Sequence, residues 1–215
     1  MSAPNPRPYR SERREAQARE TRARVLDAAA AEFAARGYAG TTLGAIATSA
    51  GVSVETVKLQ GAKHELLLGA WQRRLPGGDA EIAAPILEDE ERRAAVTDLA
   101  DADLLASFVA QAAEISASGS GLWQAFASAA RFDPQVRAAF DSTLSVRREE
   151  FRLIVELLDA RGMIRHDRSR AMLASELAVL ASAEVYEQLV VDSGFTREEY
   201  ADWLLRAIDR LVVAA

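Results

Sequence analysis

One stretch decides the fold of the first part of this chain: Thr42-Leu43-Gly44-Ala45-Ile46-Ala47-Thr48-Ser49-Ala50-Gly51-Val52-Ser53-Val54-Glu55-Thr56-Val57. Its apolar residues have helical spacing on both sides of an Ala-Gly-Val-Ser turn. Thr42 and Ser53 stand where a side-chain oxygen caps a helix, and Gly51 suits the left-handed turn between the two helices. The pattern therefore predicts a helix-turn-helix, whose small core contains Ile46, Ala47, Val52 and Val57.

The sequence around this stretch also has the apolar spacing of helices, and strand-like alternation is nearly absent. Before the stretch, a helix with Val25 and Phe33 on its inner face is expected to stop at Gly37, and a longer helix is expected over about 62–75. We predict an all-α protein, with an N-terminal helix-turn-helix domain of three helices and a C-terminal helical domain. Pro76-Gly77-Gly78 is interpreted as the region of the boundary between them. The predicted ranges are a flexible basic arm over 1–18, the helix-turn-helix domain over 19–64 and the helical domain over 65–215.

Glycine, proline and capping residues predict where the C-terminal helices begin and end. Gly119-Ser120-Gly121 is expected to end one helix, and Asp133-Pro134 to begin another that closes at Gly162. A single helix is expected over 167–193. Thr196-Arg197-Glu198-Glu199 has the spacing of a capping box and begins the last helix.

Charge is distributed unevenly along the chain. The net charge is −6, but residues 1–75 carry twelve Lys or Arg against seven Asp or Glu, a net +5, and the remainder carries −11. A basic segment beside an acidic one suits contact of one end with a polyanion. The arginines of the arm have two interpretations, as solvated charge balanced by nearby glutamates or as contacts to DNA phosphates or the minor groove.

Composition argues against several classes of protein. The chain has no cysteine and only two histidines, so neither a disulfide framework nor a thiolate metal site is expected, and no cofactor is predicted. No apolar run has the length of a membrane helix, so no membrane partner is expected. The absence of cysteine suits the reducing cytoplasm, where we expect the protein. An all-α enzyme is disfavoured because the sequence shows no cofactor loop, no metal-spaced cluster and no nucleophile beside a base.

These motifs resemble the TetR family of transcriptional regulators. The resemblance runs through Arg22–Ala29, Phe33, Gly37-Tyr38, Thr42, Ile46-Ala47, Ala50–Ser53 and Thr56-Val57, and resumes at Lys63 and Leu66-Leu67. It implies a homodimer that binds double-stranded operator DNA through the helix-turn-helix, and a C-terminal domain that dimerises and binds ligands. It also implies a repressor that a small molecule releases from its operator.

The second short helix is expected to enter the major groove of DNA. Its residues predicted to face the groove are Val54, Glu55, Thr56 and Lys58. Four more residues complete the predicted DNA contacts, namely Arg22, Thr42, Ser53 and Lys63. Relatives usually have a tyrosine at position 58 and an aromatic residue at position 61, where this chain has Lys58 and Gly61. Lys58 carries a charge toward a phosphate, but Gly61 removes a packing residue. An all-α ligand-binding module that no longer binds DNA is therefore the alternative.

Aromatic side chains in the central helices are candidates for a ligand pocket, although each of them also fits an ordinary core. The aromatic candidates are Trp71, Phe108, Trp123, Phe126, Phe140, Phe151 and Tyr186. The predicted ligand-binding set is Phe108, Gln111, Trp123, Phe126 and Arg147. We expect a mostly apolar small molecule, and Arg147 favours one with a carboxylate or phenolate.

The last two helices are expected to form the dimer interface. The apolar stripe over residues 200–212 is wider than one neighbouring helix requires. Leu173, Leu177 and Leu180 lie on a face of the preceding helix, and pairing across a two-fold axis predicts a four-helix interface.

Overall fold

A computed structural model describes residues 7–74 and 85–213, and within these ranges the chain forms helices and turns without a β-strand. The helices are α1 (Arg7–Gly40), α2 (Leu43–Ala50), α3 (Val54–Gln60), α4 (Lys63–Arg74), α5 (Glu90–Thr97), α6 (Asp101–Ala129), α7 (Pro134–Ala160), α8 (Arg170–Leu180), α9 (Ala183–Tyr186) and α10 (Arg197–Leu211). A 3-10 turn, Ile86–Glu88, precedes α5, and a π-helical turn, Glu187–Asp192, continues α9. The predicted boundary at 76–78 lies outside the described residues.

The first helix is longer than the sequence indicated. It begins at Arg7, inside the stretch 1–18 that was predicted to be a flexible arm. Its regular part ends where expected, because Gly37 adopts a positive φ of 67°. The buried Thr41 hydroxyl fastens this end by donating to the carbonyls of Glu32 at 3.0 Å and Gly37 at 2.8 Å.

The helix-turn-helix forms as predicted. The Thr42 hydroxyl accepts the amide of Ala45 at 3.1 Å and caps α2, and the Ser53 hydroxyl accepts the amide of Thr56 at 3.1 Å and caps α3. Gly51 ends α2 with a left-handed φ of 65°. Buried side chains from α1 to α4 pack together in the small core, among them Val25, Phe33, Ile46, Val57, Leu66 and Leu67.

The prediction that a helix ends at Gly119-Ser120-Gly121 is wrong, since α6 continues through this segment to Ala129. Gly121 allows close packing there instead of ending the helix. A Cβ at position 121 would lie 3.1 Å from both the Cβ and the carbonyl oxygen of Ala34 in α1. The glycine therefore lets the backbones of α1 and α6 approach each other, and this contact outweighs the low helix propensity of glycine.

The single helix predicted over 167–193 is also wrong, because α8 ends at Leu180 and α9 begins at Ala183. The Ser182 hydroxyl caps the new helix by accepting the amide of Val185 at 3.2 Å. The guanidinium of Arg147 in α7 donates to carbonyls at the end of α8. A cap on one side and a cation on the other thus satisfy the backbone groups that the break exposes.

Two clusters of buried residues make up the core. The first joins the helix-turn-helix region to the end of α6, through Trp123 and Phe126. The second joins the beginning of α6 to α7, α8 and α10, with Val155, Leu177 and Leu204 fully buried. The long helix α6 therefore belongs to both clusters and connects them.

Candidate DNA-binding surface and ligand cavity

Helix α3 buries one side chain completely and exposes three others on the opposite side. Val57 is the buried residue, whereas Glu55, Lys58 and Leu59 are exposed. Positions 55, 58 and 59 have the i, i+3, i+4 spacing of a single helix face. We define this Glu55–Lys58–Leu59 face as the reading face. Leu59 is 84% exposed and was not predicted as a site residue, since the sequence gives no sign that an apolar side chain there stays outside the core.

Four of the predicted DNA-binding residues contribute to the structure of the helix-turn-helix itself. Thr42 and Ser53 are exposed N-caps, and the hydroxyls of Ser53 and Thr56 lie 3.0 Å apart within hydrogen-bonding distance. Val54 is half-buried and packs against the core. These residues lie beside the reading face and hold it in position.

Arg22 and Lys63, two cations predicted to touch DNA, donate to backbone carbonyls in this structure. Arg22 Nη1 donates to the carbonyl of Gln60 at 3.1 Å, at the end of α3. Lys63 Nζ donates to the carbonyl of Ala39 at 3.4 Å and lies 4.6 Å from the ring centroid of Tyr38. Partial burial lowers the pKa of the Lys63 ammonium. Both cations therefore support the ends of helices next to the reading face.

Gly61 has a structural role in the link from α3 to α4. Its φ is +138°, a conformation that side chains rarely adopt. A Cβ at this position would lie 2.9 Å from Oε2 of Glu65, and the same oxygen accepts the amide of Ala62 at 2.6 Å. The glycine at position 61 thus leaves room for the Glu65 carboxylate, which accepts a backbone amide at the start of α4.

A cavity of about 310 Å³ lies among α4, α6, α7 and the α8–α9 junction. Its lining is mostly apolar and includes the aromatic side chains of Trp71, Phe108, Trp123 and Phe151. Polar side chains from three helices complete the wall, among them Arg74, Gln111, Ser116, Thr143, Arg147 and Glu150. This volume is at the lower end of the range of about 300–1,000 Å³ that is typical of small-molecule sites.

Four of the five predicted ligand-binding residues line this cavity. They are Phe108, Gln111, Trp123 and Arg147. Phe126 does not line the cavity; it is fully buried behind it, with its ring centroid 5.3 Å from that of Trp71 and 5.2 Å from that of Phe140. Phe126 therefore belongs to the core that supports the wall.

Arg147 is the central polar group of the cavity. Its Nη2 donates to the carbonyls of Ala178 at 2.9 Å and Ala181 at 3.3 Å. Its guanidinium carbon lies 5.7 Å from the Trp123 ring centroid and 5.5 Å from that of Phe151. Burial lowers the pKa of this guanidinium, and the charge of Glu184 opposes that shift.

Trp71 links the cavity to the helix-turn-helix region. It belongs to α4, which packs against α1, and its ring centroid lies 5.3 Å from that of Trp123. Trp123 in turn donates its indole N–H to Oε1 of Glu184 at 2.8 Å. The Trp71 indole nitrogen is buried without a partner among the described residues. A molecule in the cavity would therefore contact α4, the helix that follows α3 and its reading face.

Apolar side chains remain exposed on α8 and α10. Met172 is 53% and Val179 is 62% exposed, and their separation of seven residues places them on one face of α8. Leu205 of α10 is 36% exposed. Of the three leucines expected in a dimer interface, Leu173 and Leu177 are instead fully buried in the core of the subunit, and Leu180 is half-buried against that core.

The residues that the structure describes show neither a membrane span nor a metal-binding cluster. None of their helices combines the length and hydropathy of a membrane span. Within the same ranges, His, Asp and Glu form no cluster of three with the proximity that metal binding requires.

Residues 25–58 match the family model described as bacterial regulatory proteins, tetR family. This match covers the second half of α1, all of α2 and most of α3, including the reading face up to Lys58. No curated protein matches the chain at the level taken as significant.

Solved structures with the same fold cover nearly the whole chain. A Saccharomonospora viridis protein, assigned as a transcriptional regulator and solved with choline, has 20% identity, a TM-score of 0.69 and coverage of 91% of this chain and 99% of its own. NalD, the secondary repressor of the MexAB-OprM multidrug efflux pump in Pseudomonas aeruginosa, has 20% identity, a TM-score of 0.63 and coverage of 91% and 98%. SmeT in complex with triclosan has 20% identity, a TM-score of 0.65 and coverage of 91% and 92%. At this level of identity the likeness shows the fold.

Proposed function

We propose that this chain, whose residues 25–58 match the model of the tetR family of bacterial regulatory proteins, is a transcriptional repressor of that type, released from operator DNA by a small molecule. The observation that carries the proposal is the position of Trp71. It lies on the helix next to the reading helix and also lines the cavity. One helix thus connects a surface suited to DNA with a space suited to a ligand.

The proposed DNA contact uses the reading face in the major groove. Glu55 can accept a hydrogen bond from the amino group of cytosine, Lys58 can approach a phosphate, and Leu59 can pack on a thymine methyl group. Thr42, Ser53, Val54 and Thr56 belong to the same surface as supporting contacts. Arg22 and Lys63 take the role of positioning residues in this proposal, because their donors already hold helix ends.

The proposed repressor acts as a homodimer in the cytoplasm. A two-fold operator requires two reading helices about 34–36 Å apart, one turn of DNA. The exposed apolar side chains of α8 and α10, Met172, Val179 and Leu205, support a dimer built from these two helices. This face replaces the one expected from Leu173 and Leu177.

The proposed ligand response depends on α4. A mostly apolar molecule in the cavity contacts Trp71 and Trp123, and a shift of α4 changes the distance between the two reading helices of a dimer. A ligand releases DNA only to the extent that it prefers the non-binding conformation, and coupling of about 1–3 kcal/mol corresponds to roughly 5- to 150-fold weaker DNA binding. The neighbours solved with choline and triclosan support a ligand site in this fold.

A ligand-binding module that does not bind DNA is the second candidate. It is favoured by the carbonyl bonds of Arg22 and Lys63, which leave Lys58 as the cation of the reading face. It is also favoured by the net charge of −11 beyond residue 75, which repels a polyanion.

Selection from random duplex DNA with the purified full chain separates the two candidates. The repressor proposal predicts enrichment of an inverted repeat whose half-sites lie about 10–10.5 base pairs apart or a multiple of that spacing. The control is a chain with Lys58→Glu, which replaces the cation of the reading face with an anion at an exposed position outside the core. No enrichment with the unaltered chain, or equal retention of both chains on heparin, supports the module and rejects the repressor.

A further inference from the structure

The guanidinium of Arg147 lies in a largely apolar cavity without a carboxylate partner. Only its Nη2 donates, to the carbonyls of Ala178 and Ala181. None of the ion pairs formed among the described residues includes Arg147. Its Nε and Nη1 have no protein acceptor within the described ranges, and because the side chain is only half-buried these donors are open to the cavity.

Glu184, whose charge influences Arg147, already accepts a hydrogen bond from another side chain. Glu184 accepts the indole N–H of Trp123 at 2.8 Å, and its charge opposes the desolvation of Arg147 without forming an ion pair with it. The two aromatic rings beside the guanidinium, those of Trp123 and Phe151, supply faces rather than acceptors. Within residues 7–74 and 85–213, therefore, the remaining donors of Arg147 have no anionic partner, and an anion in the cavity would supply one.

The charge of the lining agrees with this inference. The cavity wall contains two arginines, Arg74 and Arg147, and one glutamate, Glu150. The part of the chain beyond residue 75 nevertheless has a net charge of −11. A cationic ligand would lie close to the positive charge of Arg147, whereas an anion gains a hydrogen-bonded partner there.

We propose that the cavity binds a small amphipathic anion, whose one- or two-ring apolar body lies against Trp71, Trp123 and Phe108 and whose carboxylate pairs with Arg147. The volume of about 310 Å³ limits the body to that size. This proposal rests on the proposed function, because it names the chemical class of the effector.

Calorimetric titration of the full chain with matched probes tests the proposal without any DNA. The probes are benzoate, 4-tert-butylbenzoate and 2-naphthoate, each compared with its neutral carboxamide. The carboxylate of at least one pair is expected to bind about 10- to 100-fold more tightly than its amide, since a charge-assisted pair contributes more than a neutral hydrogen bond.

Variants then assign the preference to one side chain. Arg147→Gln is expected to abolish the preference for the carboxylate while it leaves amide binding nearly unchanged. Arg147→Lys keeps the charge, loses the planar fork and is expected to retain a reduced preference. Arg148→Gln is the matched control, because the neighbouring guanidinium is exposed and donates to the Ser145 hydroxyl at 2.8 Å.

Three outcomes overturn the proposal: amides that bind as tightly as carboxylates, a full set of probes in which no carboxylate binds, or a carboxylate preference that persists unchanged in folded Arg147→Gln. If Arg147→Gln does not fold, the comparison of carboxylates with amides on the unaltered chain still tests the proposal. A gel shift on the selected operator separates the two proposals. Carboxylate binding that leaves DNA affinity unchanged supports the anion site and contradicts ligand-controlled repression. Release of DNA by neutral molecules alone supports repression and contradicts the anion site.

Discussion

The helix-turn-helix and the ligand cavity both place cations at the ends of helices, but in different surroundings. Arg22 and Lys63 donate to helix-end carbonyls in a region whose apolar residues fill the core, and solvent reaches both cations. Arg147 does the same in the wall of a cavity, where two of its guanidinium nitrogens have no acceptor among the described residues. Under the proposed function, the first region holds the reading face in place, whereas a ligand in the second would give Arg147 a further acceptor.

The largest expected effect is loss of the dimer. Val179→Glu places a carboxylate on the exposed apolar face of α8, where it should change the stability of the monomer little. In a dimer, each copy would bury an unpaired charge, and this should weaken association by about 3–5 kcal/mol. Analytical ultracentrifugation is expected to show monomers with poor operator affinity. Phe132→Glu changes a side chain that is 86% exposed in the α6–α7 turn and should leave the dimer intact. An unperturbed dimer of Val179→Glu would rule out this face.

The second expected effect separates the core from the cavity wall. Phe126→Ala should lower the free energy of unfolding by about 3–5 kcal/mol, because it leaves a hole in a fully buried cluster. Phe108→Ala, at the cavity, should cost less stability and more ligand affinity. Urea unfolding at fixed protein concentration measures the stability of both variants, and calorimetry with the tightest-binding probe measures their ligand affinity. Equal losses of stability would contradict the assignment of Phe126 to the core and Phe108 to the wall.

A pair of glycine substitutions in α6 gives a smaller effect with opposite signs. Gly121→Ala brings a methyl group against the α1 backbone and should destabilise the protein by about 1–3 kcal/mol. The methyl group added by Gly119→Ala would have no atom within 4 Å, and the substitution should stabilise the protein by up to about 1 kcal/mol through helix propensity. The midpoints of urea unfolding check both. If both substitutions stabilise the protein, the close approach of α1 and α6 is not a constraint.

The smallest expected effects distinguish two residues of the reading face. Lys58→Ala should reduce the slope of log affinity against log salt by about 0.9, the contribution of one phosphate, for every sequence tested. Glu55→Ala should change base preference with little change in slope. Fluorescence anisotropy over a salt series, on the selected operator and on single-base variants, measures both. The reading face is not the contact surface if neither slope nor preference changes.

These regions also differ in how far the sequence predicts them. The helix-turn-helix follows from neighbouring residues, because the caps at Thr42 and Ser53 and the turn at Gly51 involve partners within a few positions. Gly121 and the break before Ser182 were misread because their reasons lie far along the chain, in Ala34 and Arg147.

The candidate sites show the same limit. Apolar and aromatic periodicity was enough to place Phe108, Gln111, Trp123 and Arg147 among the cavity residues. It could not show that Phe126 lies one layer deeper or that Leu59 stays outside, because both facts depend on how helices pack against one another.

The most direct test of the proposed coupling is whether DNA binding changes the fluorescence of the tryptophans in the cavity. The chain with Trp203→Phe keeps Trp71 and Trp123, the two tryptophans that line the cavity, as reporters. Because coupling between sites is reciprocal, saturation with the selected operator is expected to change their emission, whereas a scrambled duplex of equal length is not. Tryptophan emission that stays the same at saturating operator and scrambled duplex would contradict the coupling of cavity and DNA-binding surface.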